Sequence, residues 1–298
     1  MSSLQLILGN AGSGKTRLLY ETIIRESLES PKKQFLVIVP EQFTLQTQKE
    51  LVGLHPAHGI RNIDAISFKR LAWRIFEETG VGKQKVLEET GKNLLLRKVA
   101  QEKKDQLKVL GGNMKKQGFL TQVKSMISEL TQYDISPGML GELLEGQKMR
   151  PSLYYKMEDV QILYEGFEKR LHEGYVASEE LLEVLADNVE KSRILKGAVL
   201  ALDGFTGFTP IQMKLLEKLL KVTEKVYLTV TIDIREELYR VGPMHELFYL
   251  SRKTIHSMMQ LAEKTGCEIK EPILSGNQKK GSATGAPALK FLEQHLYR

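Results

Sequence analysis

The sequence predicts an α/β fold, a parallel sheet interrupted by an inserted all-helical subdomain. Three observations predict it. Short apolar runs without polar alternation, as expected of strands covered on both faces, recur between helical stretches at the start of the chain. The strand signal then vanishes from about residue 88 to 191, where only helical patterns are found. Beyond that stretch the strand–helix alternation resumes. The expected division is an α/β domain made of 1–87 and 192–274, a helical insertion at 88–191, and a flexible loop with the start of a further segment at 275–298.

Each element has its own signal. Leu4 to Leu8 is short, apolar and β-prone, and it runs directly into a glycine-rich turn. A helix follows from about Thr16 to Leu28, with Leu18, Leu19, Ile23 and Ile24 on one face. Phe35 to Val39 is apolar throughout and is stopped by Pro40. A third strand is expected near Ile60 to Ile66, and SFKRLAWRIFEETG reads as a helix with Leu71, Ile75 and Phe76 inward and Trp73 as core. In the insertion, Ser136 before Pro137 and Ser178 before Glu179 mark helix starts, and Gly174 marks a stop. The α/β pattern returns with a strand at Ala198–Leu202, a helix at Pro210–Leu220, a strand at Lys225–Val230 and a helix at about Glu246–Lys264. The polar, glycine-rich SGNQKKGSATGAPA, residues 275–288, reads as a mobile loop.

Composition narrows the classes of function. Of the 298 residues, 42% are hydrophobic and 27% charged, an ordinary globular balance. Lys and Arg exceed Asp and Glu by six, which permits a nucleic-acid partner without demanding one. Lysines cluster at Lys32-Lys33, Lys83 with Lys85, Lys103-Lys104, Lys115-Lys116 and Lys279-Lys280, but acidic residues interleave with most of them, so a solvated surface is the favoured reading. The single cysteine, Cys267, excludes an internal disulfide, a four-cysteine zinc site and a self-contained iron–sulfur cluster. No apolar run reaches the ~20 residues needed to span a bilayer, and the N-terminus lacks the basic start of a signal peptide. A cytoplasmic protein is expected.

The chemistry sits in GNAGSGKT. Gly9, Asn10, Ala11, Gly12, Ser13, Gly14, Lys15 and Thr16 fit G-x-x-x-x-G-K-[ST] at every specified position, between a strand and a helix as a P-loop requires. The glycines let backbone N–H groups face phosphate oxygens. Lys15 supplies charge for the β- and γ-phosphates, and Thr16 offers its hydroxyl to Mg²⁺ at a helix N-terminus that itself favours anions. ATP with Mg²⁺ is the expected cofactor. Asp203 ends an apolar strand downstream, where a carboxylate would face the water shell of that Mg²⁺; a plain turn aspartate is the alternative. Gly204 follows it, so no adjacent carboxylate orients an attacking water. A missing general base costs about 10²–10⁴-fold in rate. Glu41, after the second strand, is the possible substitute.

The blocks LGNAGSGKTRLL, FLVIVPEQFTLQTQKEL, ISFKRLAWRIFEETG and LALDGFTGFTPIQMKLLEKL occur in an order that resembles the N-terminal part of AddB from the bacterial AddAB helicase–nucleases. The resemblance runs along nearly the whole chain. It implies a P-loop NTPase fold of the superfamily 1 helicase type with an inserted helical subdomain. It also implies DNA contacts from the segment after the second strand, Glu41-Gln42-Phe43-Thr44, and from Ser67-Phe68 at the start of the next helix. By its chemistry the Thr44 hydroxyl suits a phosphate, and Phe43 or Phe68 suits a base; burial is the favoured reading for both rings. Four departures separate this chain from an active motor of that type. Gly204 stands where glutamate is usual, TVTIDIREEL lacks the γ-phosphate sensor signature, only eight residues precede the P-loop, and the second motor lobe is absent.

The resemblance further implies a heterodimer with the motor protein AddA and scanning of single-stranded DNA for a Chi-like hotspot. It places the nuclease and a 4Fe–4S cluster in a C-terminal part that this chain, read as a fragment, does not contain. Two other readings stay open: a DNA-stimulated ATPase using an unrecognised base, and a P-loop small-molecule kinase. The long helical insertion and the absence of a recognisable acceptor site count against the kinase.

Overall fold

The computed structural model describes residues 2–81, 85–114, 116–146, 150–177, 180–235, 237–276 and 291. In chain order the first elements are β1 (Ser3–Gly9), α1 (Lys15–Glu29), β2 (Phe35–Ile38), α2 (Thr44–Leu54), β3 (Ile63–Ile66) and α3 (Phe68–Thr79). The middle of the chain forms β4 (Lys85–Leu87), α4 (Glu89–Glu102), α5 (Gln117–Gln132), α6 (Pro137–Gly146), α7 (Pro151–Leu171), β5 (Tyr175–Ala177) and α8 (Leu181–Asn188). The last are β6 (Val199–Leu202), α9 (Pro210–Val222), β7 (Lys225–Thr231), α10 (Tyr249–Thr265), β8 (Glu268–Ile269) and β9 (Ile273–Leu274). The chain divides into two compact units. One comprises residues up to Thr79, Ala186–Phe208 and the chain from Met213 on; the other comprises Gly80–Leu185 with Thr209–Gln212.

The first unit is built on a parallel sheet in the order β3–β2–β6–β7–β1–β8, with β9 also pairing β1. All of its pairings are parallel, and β1 runs level with β7 from Ser3 beside Lys225 to Gly9 beside Thr231. Phe35, Leu36, Val37 and Ile38 are all buried, as are Val199 to Leu202, which is why these strands show no polar alternation. One face packs Ile7, Val37, Ala201 and Tyr227 against Leu19, Tyr20, Ile23 and Ile24 of α1 and Leu51 of α2. β8 and β9 lie in succession along β1, Ser3 beside Glu268 and Ile7 beside Ile273. Pro272 falls in the gap, consistent with an edge position that donates no ladder bond.

Helix ends follow their capping chemistry. Ser67 opens α3 by accepting the Arg70 N–H at 3.3 Å, and Ser136 does the same for Met139 before α6. α10 stops at Gly266, whose φ of +68° lets Cys267 donate back to the Ala262 carbonyl at 2.8 Å. In α3 the inward residues are Phe68, Leu71, Ala72, Ile75 and Phe76. Trp73 is corrected from core to a partly exposed position, because helical periodicity turns it off that buried stripe. α2 and the two short strands after α10 carry no strong sequence signal and were not expected.

The second unit gathers α4, α5, α6 and α7 around Leu96, Val99, Leu120, Val123, Ile127, Leu140, Leu163 and Phe167. It is not wholly helical. β4 and β5 form a parallel two-strand ladder, Lys85 beside Tyr175 and Leu87 beside Ala177. Three residues per strand are too few for periodicity to register, which corrects the expectation of a strand-free insertion. Asp159 of α7 is fully buried and accepts the backbone N–H groups of Lys108, Val109 and Leu110 at 2.8, 2.7 and 2.7 Å. One carboxylate thus satisfies a turn that helical hydrogen bonding cannot reach. Ser178, Glu179, Lys83, Lys115, Lys279, Lys280 and the stretch 277–290 lie outside the described residues. Asp159→Ala leaves three donors without their acceptor and is expected to destabilise the helical unit by about 2–4 kcal/mol, read by urea denaturation followed by circular dichroism. An unchanged midpoint would remove Asp159 from this role.

Candidate functional site

The sheet order fixes where a ligand fits. The connection leaving β1 travels toward β2, while the connection leaving the neighbouring β7 travels the opposite way to β8. The carboxyl ends of β1 and β7 are therefore a topological switch point, the place where open parallel sheets bind ligands. The turn Gly9–Thr16 leaves β1 at this point, and β6 delivers Asp203 one strand beyond β7.

The turn needs its glycines for two different reasons. Gly12 and Gly14 have φ of +72° and +86°, and no atom lies within 4 Å of a β-carbon built on either, so their backbones face open space. Gly9 instead has no room: a β-carbon there would collide with the Ser275 carbonyl oxygen and with Ser13 Oγ. Ser275 is itself buried, takes its place by donating N–H to the Leu8 carbonyl at 2.7 Å, and donates its hydroxyl to the Ser13 carbonyl at 2.7 Å. Residues 275–276 are thus a clasp on the glycine-rich turn, correcting that end of the expected loop; β-pairing of Ile273 and Leu274 to β1 holds them there. Nothing in the polar, glycine-rich composition of this stretch distinguishes a clasp from a linker.

Lys15 is mostly buried at the start of α1 and donates from Nζ to the Asn10 carbonyl at 2.7 Å. Burial lowers its ammonium below the usual lysine range, and the Asp203 carboxylate partly offsets this. Thr16 Oγ1 donates to Asp203 Oδ1 at 3.2 Å across 187 positions of sequence. Asp203 is 6% exposed and accepts two further hydroxyls, Thr229 Oγ1 at 2.5 Å on Oδ1 and Tyr20 OH at 3.3 Å on Oδ2. Sequence reasoning missed Tyr20, Thr229 and Ser275, since a hydroxyl on a helix or strand looks like any other until the fold pairs it.

These features fit a magnesium-bound nucleotide. The turn offers open backbone at Gly12 and Gly14, a cationic Lys15, and a buried Ser13 Oγ with no hydrogen-bond partner among the described residues. Thr16 and Asp203 bring two oxygen donors together. Among the described residues no three His, Cys, Asp or Glu side chains converge, so phosphate oxygens and water would complete the shell of any ion here.

The remaining candidates are placed elsewhere. Gln42 and Phe43 are exposed after β2, whereas Thr44 is buried and spends its hydroxyl on the Glu41 carbonyl at 3.0 Å. Burial thus holds for Phe68, which meets Phe205 with ring centroids 5.5 Å apart, but not for Phe43 at 44% exposure. Glu41 receives Ser67 Oγ at 2.8 Å and lies 3.8 Å from Arg70 Nε, so its carboxylate is engaged toward β3, the strand farther from the glycine-rich turn. Gly204 has φ of +77°, and a β-carbon there would lie 3.5 Å from Pro40 Cδ. The position after Asp203 is a left-handed turn, unsuited to glutamate.

Fold and geometry together define a parallel α/β protein with a glycine-rich anion cradle facing a buried carboxylate at its switch point. The family model described as ADDB, N-terminal, matches residues 6–293. The chain is 45% identical over 99% of its length to the AddB-type chain of an ATP-dependent helicase/deoxyribonuclease from Lachnoclostridium phytofermentans, of which it covers 26%. It is 35% identical over 94% of its length to the protein of that name from Caldanaerobacter subterraneus, covering 24% of it, and 33% identical over 98% to that of Bacillus thuringiensis, covering 25%. The chain belongs to the AddB N-terminal family and spans about a quarter of the length of these relatives. Gly9→Ala is expected to lower stability by about 1–3 kcal/mol by driving Ser275 from its place, measured by thermal or chemical unfolding. A neutral effect would mean that the clasp yields without cost.

Proposed function

We propose that this chain is a P-loop NTPase module of the superfamily 1 helicase type that holds ATP and Mg²⁺ and hydrolyses the nucleotide slowly or not at all. The observation that carries this reading is the meeting of Lys15, Thr16 and Asp203 at the switch point. On this reading the backbone of 9–14 cradles the phosphates and Lys15 neutralises the outer ones. Thr16 and Asp203 would hold Mg²⁺, which supplies charge neutralisation at the phosphates. Slow turnover is supported by the left-handed turn at Gly204, which leaves no carboxylate beside Asp203, and by the engagement of Glu41 with Ser67 and Arg70.

In the whole protein this region would work within an AddAB helicase–nuclease that processes DNA ends in double-strand break repair and recombination, in the cytoplasm. AddA is the proposed partner, and the nuclease and its 4Fe–4S cluster would lie in the rest of AddB. Single-stranded DNA, including a Chi-like hotspot, is the proposed nucleic acid. Exposed Gln42 and Phe43 are the most available of the proposed contacts. Thr44, Ser67 and Phe68 would serve by shaping the segment, since their side chains already have protein partners.

Direct ATP titration with Mg²⁺, alongside hydrolysis with and without single-stranded DNA, tests the reading. Lys15→Ala should weaken ATP binding by about 10- to 100-fold, the range for a lost charged hydrogen bond, and DNA should not stimulate turnover. Lys15-dependent, DNA-stimulated hydrolysis would instead establish an active motor, and a phosphorylated metabolite a kinase. Gly204→Glu should not create turnover and should cost about 1–2 kcal/mol of stability.

A pH dependence follows from Lys15. Its ammonium is held below the usual lysine value without ligand, and phosphate anions would raise it. At alkaline pH between the two values, ATP binding should take up protons, visible by calorimetry in buffers of different ionisation enthalpy. Proton release, or none, in that range would place the phosphates away from Lys15.

A further inference from the structure

Tyr20 lies one turn beyond Thr16 on α1 and is 2% exposed. Its ring packs in the core shared by α1, α2 and the sheet, but its hydroxyl has a specific direction. It reaches Asp203 Oδ2 at 3.3 Å and Thr47 Oγ1 of α2 at 3.1 Å. A phenol has one proton and an ionised carboxylate can only accept, so Tyr20 donates to Asp203 and Thr47 donates to Tyr20. Burial pushes the Tyr20 phenol above its usual range, so this donor persists throughout neutral pH. Thr47 is 3% exposed and stands one turn after Thr44, at the end of α2 that follows Gln42 and Phe43.

We propose that Tyr20 is a positioning residue for the metal-facing carboxylate, fixing Asp203 and linking it through Thr47 to α2. The proposal rests on the reading of Lys15, Thr16 and Asp203 as a magnesium–nucleotide site. Thr16 and Thr229 both donate to Oδ1, whereas Tyr20 donates to Oδ2. Holding the second oxygen fixes the rotation of the carboxylate and leaves its remaining lone pair aimed at the ion's water shell. Loss of the phenol proton frees that rotation without removing charge or ring packing. Outer groups that orient metal-facing ligands act in this way.

The test is ATP affinity of this chain with Mg²⁺ and with EDTA, for the parent chain, Tyr20→Phe, Thr47→Val and the double variant, with Lys15→Ala as reference. Tyr20→Phe is expected to lose roughly tenfold of the Mg²⁺-dependent gain in affinity, while binding in EDTA stays near the parent. Thr47→Val should lose less, and the double variant no more than Tyr20→Phe, because the two hydroxyls act in series. An unchanged Mg²⁺-dependent gain in Tyr20→Phe overturns the proposal. So does an equal loss with and without Mg²⁺, which would mark a purely structural tyrosine. A parent chain without Lys15-dependent binding overturns the nucleotide-site reading and this one together, and is distinguished from the other outcomes by the Lys15→Ala reference.

Discussion

A carboxylate withdrawn from water must have its lone pairs filled by the protein, and Asp203 meets that demand with hydroxyls. Thr16, Thr229 and Tyr20 come from the glycine-rich turn, from the neighbouring strand and from α1, so three separate elements converge on one side chain. Cationic partners would have matched the charge outright. Hydroxyls satisfy geometry while leaving the negative charge largely uncompensated, which suits a carboxylate whose counter-charge is to arrive with a ligand. The strand order makes this possible: β7 separates β6 from β1, so Thr229 can donate from between Asp203 and the turn that carries Thr16.

Backbone conformation, as much as side-chain identity, decides what chemistry is left. Gly204 is left-handed, and the chain beyond it turns so that Phe205 meets Phe68 and Phe208 meets Phe205, with ring centroids 5.5 and 5.1 Å apart. The aromatic contact and the turn form together, and a side chain bearing a general base is incompatible with that turn. On the proposed reading, retention of a cradle without a water-orienting group is therefore a property of the local fold and goes beyond a single missing residue. Glu41 is withdrawn by the same kind of local commitment, through Ser67 and Arg70.

Much of the sheet was legible because its strands are buried on both faces and its helices carry apolar stripes. Phe35 to Val39 and the helix after Ser67 are examples where local pattern and tertiary outcome coincide. The glycine-rich turn was legible because its spacing is dictated by backbone geometry. Trp73 was misread because residue type was weighed above helical phase. Three-residue β4 and β5 fall below the length at which a period exists, and β8 and β9 take their conformation from the edge of β1. Tyr20, Thr47, Thr229 and Ser275 were illegible for another reason: each matters through one hydrogen bond across 26 to 262 positions of sequence, and no local rule records such a partner.

If the nucleotide is held and scarcely turned over, its role is that of a ligand linked to folding. A molecule that binds only the folded state stabilises it by about 2.7 kcal/mol at one hundred times its dissociation constant. Here that stabilisation would be concentrated on β1, the first turn of α1, the end of β6 and the Ser275 clasp, which are distant in sequence and joined mainly at this site. The Thr47–Tyr20–Asp203 chain extends the effect to α2 and hence to the neighbourhood of Gln42 and Phe43. A bound nucleotide would then act on the proposed DNA-contacting segment by limiting its motion, without any step of hydrolysis. Retaining every element of the cradle while lacking the group that activates water is coherent for such a role, because each retained residue contributes to holding and the absent one would contribute only to release.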